Sequence, residues 1–322
     1  MFRTTFKRHQ KKKIGMARRR KRRRGSKQPK VNKLKRLTER LADYTPIQPA
    51  ERIKLETGPK DITGRLIDLI APIGKGQRVL VTSPPKAGKT TILQTISRAV
   101  HKNHPEIYQV ALLIDERPEE ATDFRRNIPA KVEASTTDST PEQHVRLAEK
   151  VFADALEKLL DGEDVLILLD SITRLARAYN TTNRSGNGRT LSGGITAGAL
   201  DRPRQLFGAA RNLEEAGSLT IVATALIDTG SRMDDVIFHE FKGTGNSELV
   251  LDRELANRRL FPAVDLAASG TRRELDLMSP VEGKRVPDLR RRLADMSQQE
   301  SLSWFLKRIK RTQNNLELLG SF

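Results

Sequence analysis

The sequence predicts an α/β fold on a mostly parallel sheet, and two observations carry that prediction. Short apolar runs at residues 79–82, 109–115, 165–170 and 219–226 alternate with helical patterns, the rhythm of strand–helix–strand units. The first run feeds directly into Ser83-Pro-Pro-Lys-Ala-Gly-Lys-Thr90, after which an apolar helix begins. In a loop of this kind the backbone N–H groups surround the β- and γ-phosphates of a nucleoside triphosphate, and the helix N-terminus adds its dipole. Lys89 is the candidate charge on the β/γ oxygens, and the Thr90 hydroxyl is the candidate Mg²⁺ ligand. The strict pattern has glycine where Ser83 stands. A plain turn accounts for Pro84-Pro85, but not for Gly88-Lys89-Thr90 opening a helix straight after a strand.

Element by element, residues 34–41 carry Leu34, Leu37 and Leu41 at the spacing of a short helix, and Pro46 and Pro49 suit an extended connector. The folded body is expected from about Asp61. Residues 131–134 read as a further strand. Residues 142–160 place Val145, Ala148, Val151, Phe152, Ala155, Leu156 and Leu159 on one helical stripe. The unbroken apolar run at 165–170 suits a strand buried on both faces. Near the C-terminus, Trp304, Phe305, Leu306 and Ile309 read as a packing helix over about 303–312. The division expected is a disordered basic tail over 1–45, a connector over 46–60, and an ATPase domain with its C-terminal helix over 61–322.

Charge separates the tail from the body. The chain of 322 residues has a formal charge of +19, of which residues 1–44 hold +17, from 19 Lys/Arg against Glu39 and Asp43, and the rest only +2. So few apolar residues in the tail cannot offset chain entropy. With no cysteine, disulfides and thiolate metal sites are excluded. The five histidines (His9, His101, His104, His144 and His239) lack metal-ligand spacing. No apolar run is long enough to span a bilayer, and no signal peptide is evident, so the expected location is cytoplasmic.

Three features beyond the loop point to hydrolysis. Asp170, closing the run at 165–170, is placed to hold the Mg²⁺ shell; the alternative is an N-cap for the following helix. Glu116, at the end of a strand expected beside the loop's strand, is the candidate general base, whereas Glu119 and Glu120 fit acids favoured at a helix start. Arg272, on the turn Ser269-Gly-Thr-Arg272, could reach a γ-phosphate from a neighbouring subunit.

These residues, together with Leu112-Leu-Ile-Asp-Glu-Arg-Pro-Glu-Glu120, Ile167-Leu-Leu-Asp-Ser-Ile-Thr-Arg-Leu-Ala-Arg-Ala-Tyr-Asn180, Phe207-Gly-Ala-Ala-Arg-Asn212 and Glu240-Phe-Lys-Gly-Thr-Gly-Asn246, resemble the ATPase domain of the bacterial transcription termination factor Rho family, from about Leu66 to Arg273. The resemblance implies a RecA-type fold, a homohexameric ring, and RNA-dependent hydrolysis of ATP with Mg²⁺ that drives movement along single-stranded RNA and release of transcripts from the RNA polymerase elongation complex. It implies nucleotide contacts at Ser83, Lys86, Ala87, Gly88, Lys89, Thr90 and Thr91, catalytic roles for Lys89, Glu116 and the arginine finger Arg272, and Mg²⁺ at Thr90 and Asp170. Arg117 and Arg259 match arginines at the subunit-shared ATP site. Phe261 matches the aromatic that stacks on adenine; on its own it would read as a core residue beside Pro262.

The loops Asn183-Arg-Ser-Gly-Asn-Gly-Arg-Thr-Leu-Ser-Gly-Gly194 and Thr229-Gly-Ser-Arg-Met-Asp234 resemble the family's two channel loops, with Arg184, Arg189, Ser231 and Arg232 as RNA contacts. By composition alone each could equally be a plain mobile loop. The sequence departs from the family in the roughly 60 residues before the body, which are tail and connector where an oligonucleotide-binding barrel is usual. The tail is expected to act instead as a sequence-blind tether for polyanions. Two other functions remain open: a nucleic-acid-stimulated ring ATPase without termination activity, and a polyanion-binding protein that uses ATP structurally.

Overall fold

The computed structural model describes residues 33–184 and 192–321. Nine strands form the main sheet. In chain order the strands are Pro46–Ile47 (β1), Arg52–Ile53 (β2), Ile73–Gly74 (β3), Arg78–Ser83 (β4), Tyr108–Glu116 (β5), Lys131–Thr136 (β6), Asp164–Asp170 (β7), Arg211–Leu213 (β8), Ser218–Leu226 (β9), Ser247–Val250 (β10) and Gly270–Thr271 (β11). The order across the sheet is β11-β10-β4-β9-β7-β5-β6, parallel from β10 to β6. β11 pairs antiparallel with β10 and β8 with β9, while β2 and β3 form a separate ladder. The central strands β7 and β9 are buried except for one half-buried end residue each, Asp164 and Leu226, as the uninterrupted apolar runs require of a sheet covered on both faces.

Twelve helices accompany them among the described residues: Lys33–Arg40 (α1), Ile62–Ile70 (α2), Lys89–Asn103 (α3), Pro118–Asn127 (α4), Pro141–Leu160 (α5), Ile172–Arg184 (α6), Asp201–Gly208 (α7), Arg232–Lys242 (α8), Arg253–Asn257 (α9), Pro280–Ala294 (α10), Gln298–Ile309 (α11) and Asn315–Gly320 (α12). Two cores result, one on each face of the sheet. One gathers α2, α3 and the C-terminal helices through residues such as Leu66, Leu93, Phe305 and Ile309. The other gathers α1, α5, α6 and α8 through Leu37, Phe152, Leu175 and Phe241. α5, α10 and α11 each start with a reciprocal capping box: Thr140 with Gln143, Ser279 with Glu282, and Ser297 with Glu300. No described helix is long and apolar enough to cross a membrane.

The boundaries expected before residue 61 are corrected by the structure. Residues 33–43 belong to the body: Leu34, Leu37 and Leu41 are buried in the α5–α6 core. Lys33 reaches Asp154 at 3.2 Å and Glu157 at 2.9 Å, but exposed pairs of this kind contribute little; the leucines hold the helix. The segment 46–60 is extended, as expected of the connector, but it packs into the body. β1 extends the sheet through β8, and the N–H groups of Leu55 and Glu56 donate to buried Asp68 at 3.1 and 2.7 Å. The rest of the tail, residues 1–32, lies outside the described residues, and with it the tether expectation.

Fully buried Arg65 of α2 fastens the C-terminus. It donates to Asn315 Oδ1 at 3.2 Å, to the carbonyls of Ile309 and Thr312 at 2.8 Å each, and to Thr312 Oγ1 at 2.7 Å. Because α1 packs through leucines, Leu37→Ala should lower unfolding stability by about 2–5 kcal/mol in denaturant melts; an unchanged midpoint would return α1 to the tail.

Candidate active site

The loop after β4 takes the shape its sequence implies. Ser83 Oγ donates to the Pro84 carbonyl at 2.9 Å. Lys86 and Gly88 both sit in the left-handed region, at φ 66° and 103°. A Cβ on Gly88 would meet nothing within 4 Å, so its backbone conformation, rather than crowding, calls for glycine. α3 then starts at Lys89. Its first N–H groups, on Lys89, Thr90 and Thr91, precede the first helical bond, from Ile92 N to Gly88 O, and are oriented to receive an anion.

Lys89 joins three strand ends. Its ammonium lies 2.6 Å from Asp170 Oδ2, at the end of β7, and 3.2 Å from Glu116 Oε2, at the end of β5. Both carboxylates are almost fully buried. Asp170 Oδ1 also accepts from Thr224 Oγ1 of β9 at 2.7 Å, and Glu116 pairs with Arg174 of α6 at 2.8 Å. Burial disfavours the Lys89 charge, yet Asp170 and Glu116 outweigh it and hold the ammonium above the usual lysine range. Burial alone would raise Glu116, but Lys89 and Arg174 hold it below the usual carboxylate range. Glu120, in the first turn of α4, is pushed up by burial and by the neighbouring Glu116 charge.

One sequence expectation fails here. β5 is not beside β4, because β9 and β7 lie between them. Glu116 is reached because β5 runs past a bulge between Ile114 and Glu116 and Lys89 spans the gap. Sequence reading missed Arg174 and Thr224. Their signals were a basic residue four positions after Asp170, and a threonine near the end of the apolar run LTIVATAL, level with Asp170.

The donor set fits Mg²⁺ and a triphosphate. Oxygen ligands from Thr90 and Asp170 suit a hard cation that keeps most of its shell for phosphate and water, and no group of three or more ligating side chains that would enclose a metal occurs among the described residues. Beside the loop lies a cavity of about 800 Å³, lined by Gly88, Thr91 and Thr95 of one face of α3, by Asp61 and Ile62, and by Phe261. Its size and apolar wall suit a nucleobase. Phe261 is 49% exposed on that wall and is no core residue. Arg117, directly after Glu116, and Arg259 are exposed.

Arg272 is elsewhere. Thr271 pairs with Ser247, which pairs with Val79 at the start of β4, and Arg272 N donates to Asn246 O at 2.9 Å. The length of β4, roughly 16 Å at 3.3 Å per residue, separates that level from the phosphate loop, too far for this arginine to serve its own chain's site.

The loop Thr229–Asp234 follows β9, beside β7. Ser231 precedes α8, and Arg232 is its first residue. Asp234 holds the turn, accepting from Arg177 of α6 at 2.8 Å and from Thr229 Oγ1 at 2.6 Å. Of the first loop, Gly193 packs so near Arg232 that an added Cβ would stand 3.2 Å from the Arg232 carbonyl. The two loops thus meet. Arg184 is the last residue of α6, and Arg189 lies outside the described residues.

Residues 64–271 match the model of the ATP synthase alpha/beta family, nucleotide-binding domain. Curated relatives named transcription termination factor Rho include those of Rhodopirellula baltica, 52% identical over 87% of this chain and 55% of the relative, Micrococcus luteus, 55% identical over 85% and 40%, and Streptosporangium roseum, 53% identical over 87% and 72%. The chain therefore spans only 55% and 40% of the length of the first two. Among solved structures, a prototypical ATPase from the type III secretion system of pathogenic bacteria shares the fold at TM-score 0.67 and 23% identity, over 80% of this chain and 82% of that one. The assembled type III secretion ATPase EscN of enteropathogenic E. coli does so at TM-score 0.68 and 21%, over 86% and 72%. By its P-loop site and by these matches, the chain belongs to the transcription termination factor Rho family of P-loop ATPases.

Proposed function

We propose that this chain is the motor of an RNA-dependent ATPase that works as a homohexameric ring in the cytoplasm, hydrolysing ATP between neighbouring copies to move along single-stranded RNA and release transcripts from the RNA polymerase elongation complex. The observation that carries this reading is the division of catalytic groups between opposite ends of the sheet, with Lys89, Glu116 and Asp170 at one end and Arg272 at the other.

In this reading Ser83, Lys86, Ala87, Gly88 and Thr91 shape the phosphate cradle, with Lys89 and the N-terminus of α3 on the β/γ oxygens. Thr90, and Asp170 through the ion's shell, would hold Mg²⁺, which would supply charge neutralisation on the phosphates. Phe261 stacks on the base. Glu116 positions and deprotonates the attacking water. Once Lys89 turns to phosphate, Glu116 loses one of the two cations that depress its pKa, so it becomes more basic as the substrate binds. Arg272 of one copy reaches the γ-phosphate held by the next, with Arg117 and Arg259 lining the shared boundary. Arg184, Arg189, Ser231 and Arg232 contact RNA, and the contact between the loops at Gly193 lets both respond to one event at the site.

Lys89→Ala and Arg272→Ala should each abolish ATP turnover, and mixing the two should restore part of it, because some boundaries then pair an intact Lys89 with an intact Arg272. An inactive mixture, with both variants still assembling, would place Arg272 outside the reaction. Arg232→Ala should keep basal turnover and lose stimulation by oligouridylate; full stimulation in that variant would remove the loop from the RNA path.

A further inference from the structure

A second cationic surface lies away from the channel loops. On α11 and just beyond it, Trp304, Lys307, Arg308 and Arg311 fall at i, i+3, i+4 and i+7, on one face. Together with Thr312 and Ser321 they line a cavity of about 460 Å³ that has no carboxylate among its described lining residues. Over Trp304 sit two guanidinium groups, from Arg308 at 4.5 Å and from Arg292 of α10 at 5.7 Å from the ring centroid.

Helix electrostatics account for part of this. Cations in a last turn complement the macrodipole, which covers Lys307 and Arg308. They do not account for Arg311 beyond the helix, for Arg292 arriving from another helix, or for the indole that Arg292 and Arg308 share. An aromatic in contact with guanidinium groups and ringed by further cations is the chemistry that holds a single-stranded polynucleotide: phosphates on the cations, a base against the planar groups. A protein partner would need apolar contact area, and the lining offers the indole alone.

We propose that this face of α11 is a second RNA-binding site. It is separate from the channel loops, since Phe305 and Ile309 of α11 belong to the core on one face of the sheet and Ile237 and Phe241 of α8 to the core on the other. A strand held at both would pass from one layer of the molecule to the other. The site extends the reading of the protein as an RNA motor and is measured independently of it.

Trp304 is the one tryptophan in the chain, so its fluorescence in the full-length protein reports this site and no other. Titration with a short oligouridylate should give a saturable change in emission whose affinity falls with salt. Lys307→Glu combined with Arg311→Glu should abolish that change and leave basal ATP turnover intact, while replacing both by alanine should weaken binding at least tenfold and lower the log–log salt slope by about 1.4, at about 0.7 per lost contact. Arg232→Ala should retain the response. A missing response, an unaltered one in the double charge reversal, or an equal response to polyphosphate or polyglutamate at matched charge overturns the proposal. If Trp304 responds but RNA fails to speed ATP turnover, the motor reading fails and this site stands.

Discussion

The Lys89 ammonium is drawn between two buried carboxylates, Asp170 at 2.6 Å and Glu116 at 3.2 Å, and this contact fixes the ends of three separate stretches of chain against one another. Without the cation, two carboxylates this deeply buried would each cost several kcal/mol. Thr224 and Arg174 complete the arrangement from β9 and α6, so five elements depend on one charge balance. The same balance holds Glu116 below the usual carboxylate range, and in the proposed mechanism it loosens when an anion competes for the lysine.

Sheet polarity decides the rest. Parallel strands put the loop after β4, Glu116, Asp170 and the loop after β9 at one edge, where α/β proteins bind their ligands. Arg272, carried by the antiparallel strand β11, is left at the opposite edge. An arginine there becomes useful only when a second copy brings that edge to the first copy's loop. In the proposed reading, coupling between nucleotide and RNA would need no long path, since α6 carries both Arg174, which touches Glu116, and Arg177, which pairs with Asp234 at the start of α8.

Much of this was legible in the residues. The apolar runs lie within β4, β5, β7 and β9, and the stripe over 142–160 lies within α5, because uninterrupted apolar stretches and helical periodicity are local signals. Strand order was not legible: nothing local says that β9 and β7 separate β4 from β5. The helix at 34–41 was legible in its leucine spacing, but charge density concealed that those three leucines dock it on the body. Arg174 and Thr224 were missed for the same kind of reason, since each acts through a contact 50 or more positions away in sequence. Phe261 needed the surface to be seen before it could be told from a core residue.

The claim that each site is built from two copies is tested most directly by proximity. The chain has no cysteine of its own, so Pro85→Cys and Arg272→Cys, made as separate variants, can be mixed with Mg-ATP and a short bismaleimide. A covalent dimer joining one variant to the other is the predicted product. Dimers absent from the mixture, while the same reagent labels each cysteine singly, would contradict the account.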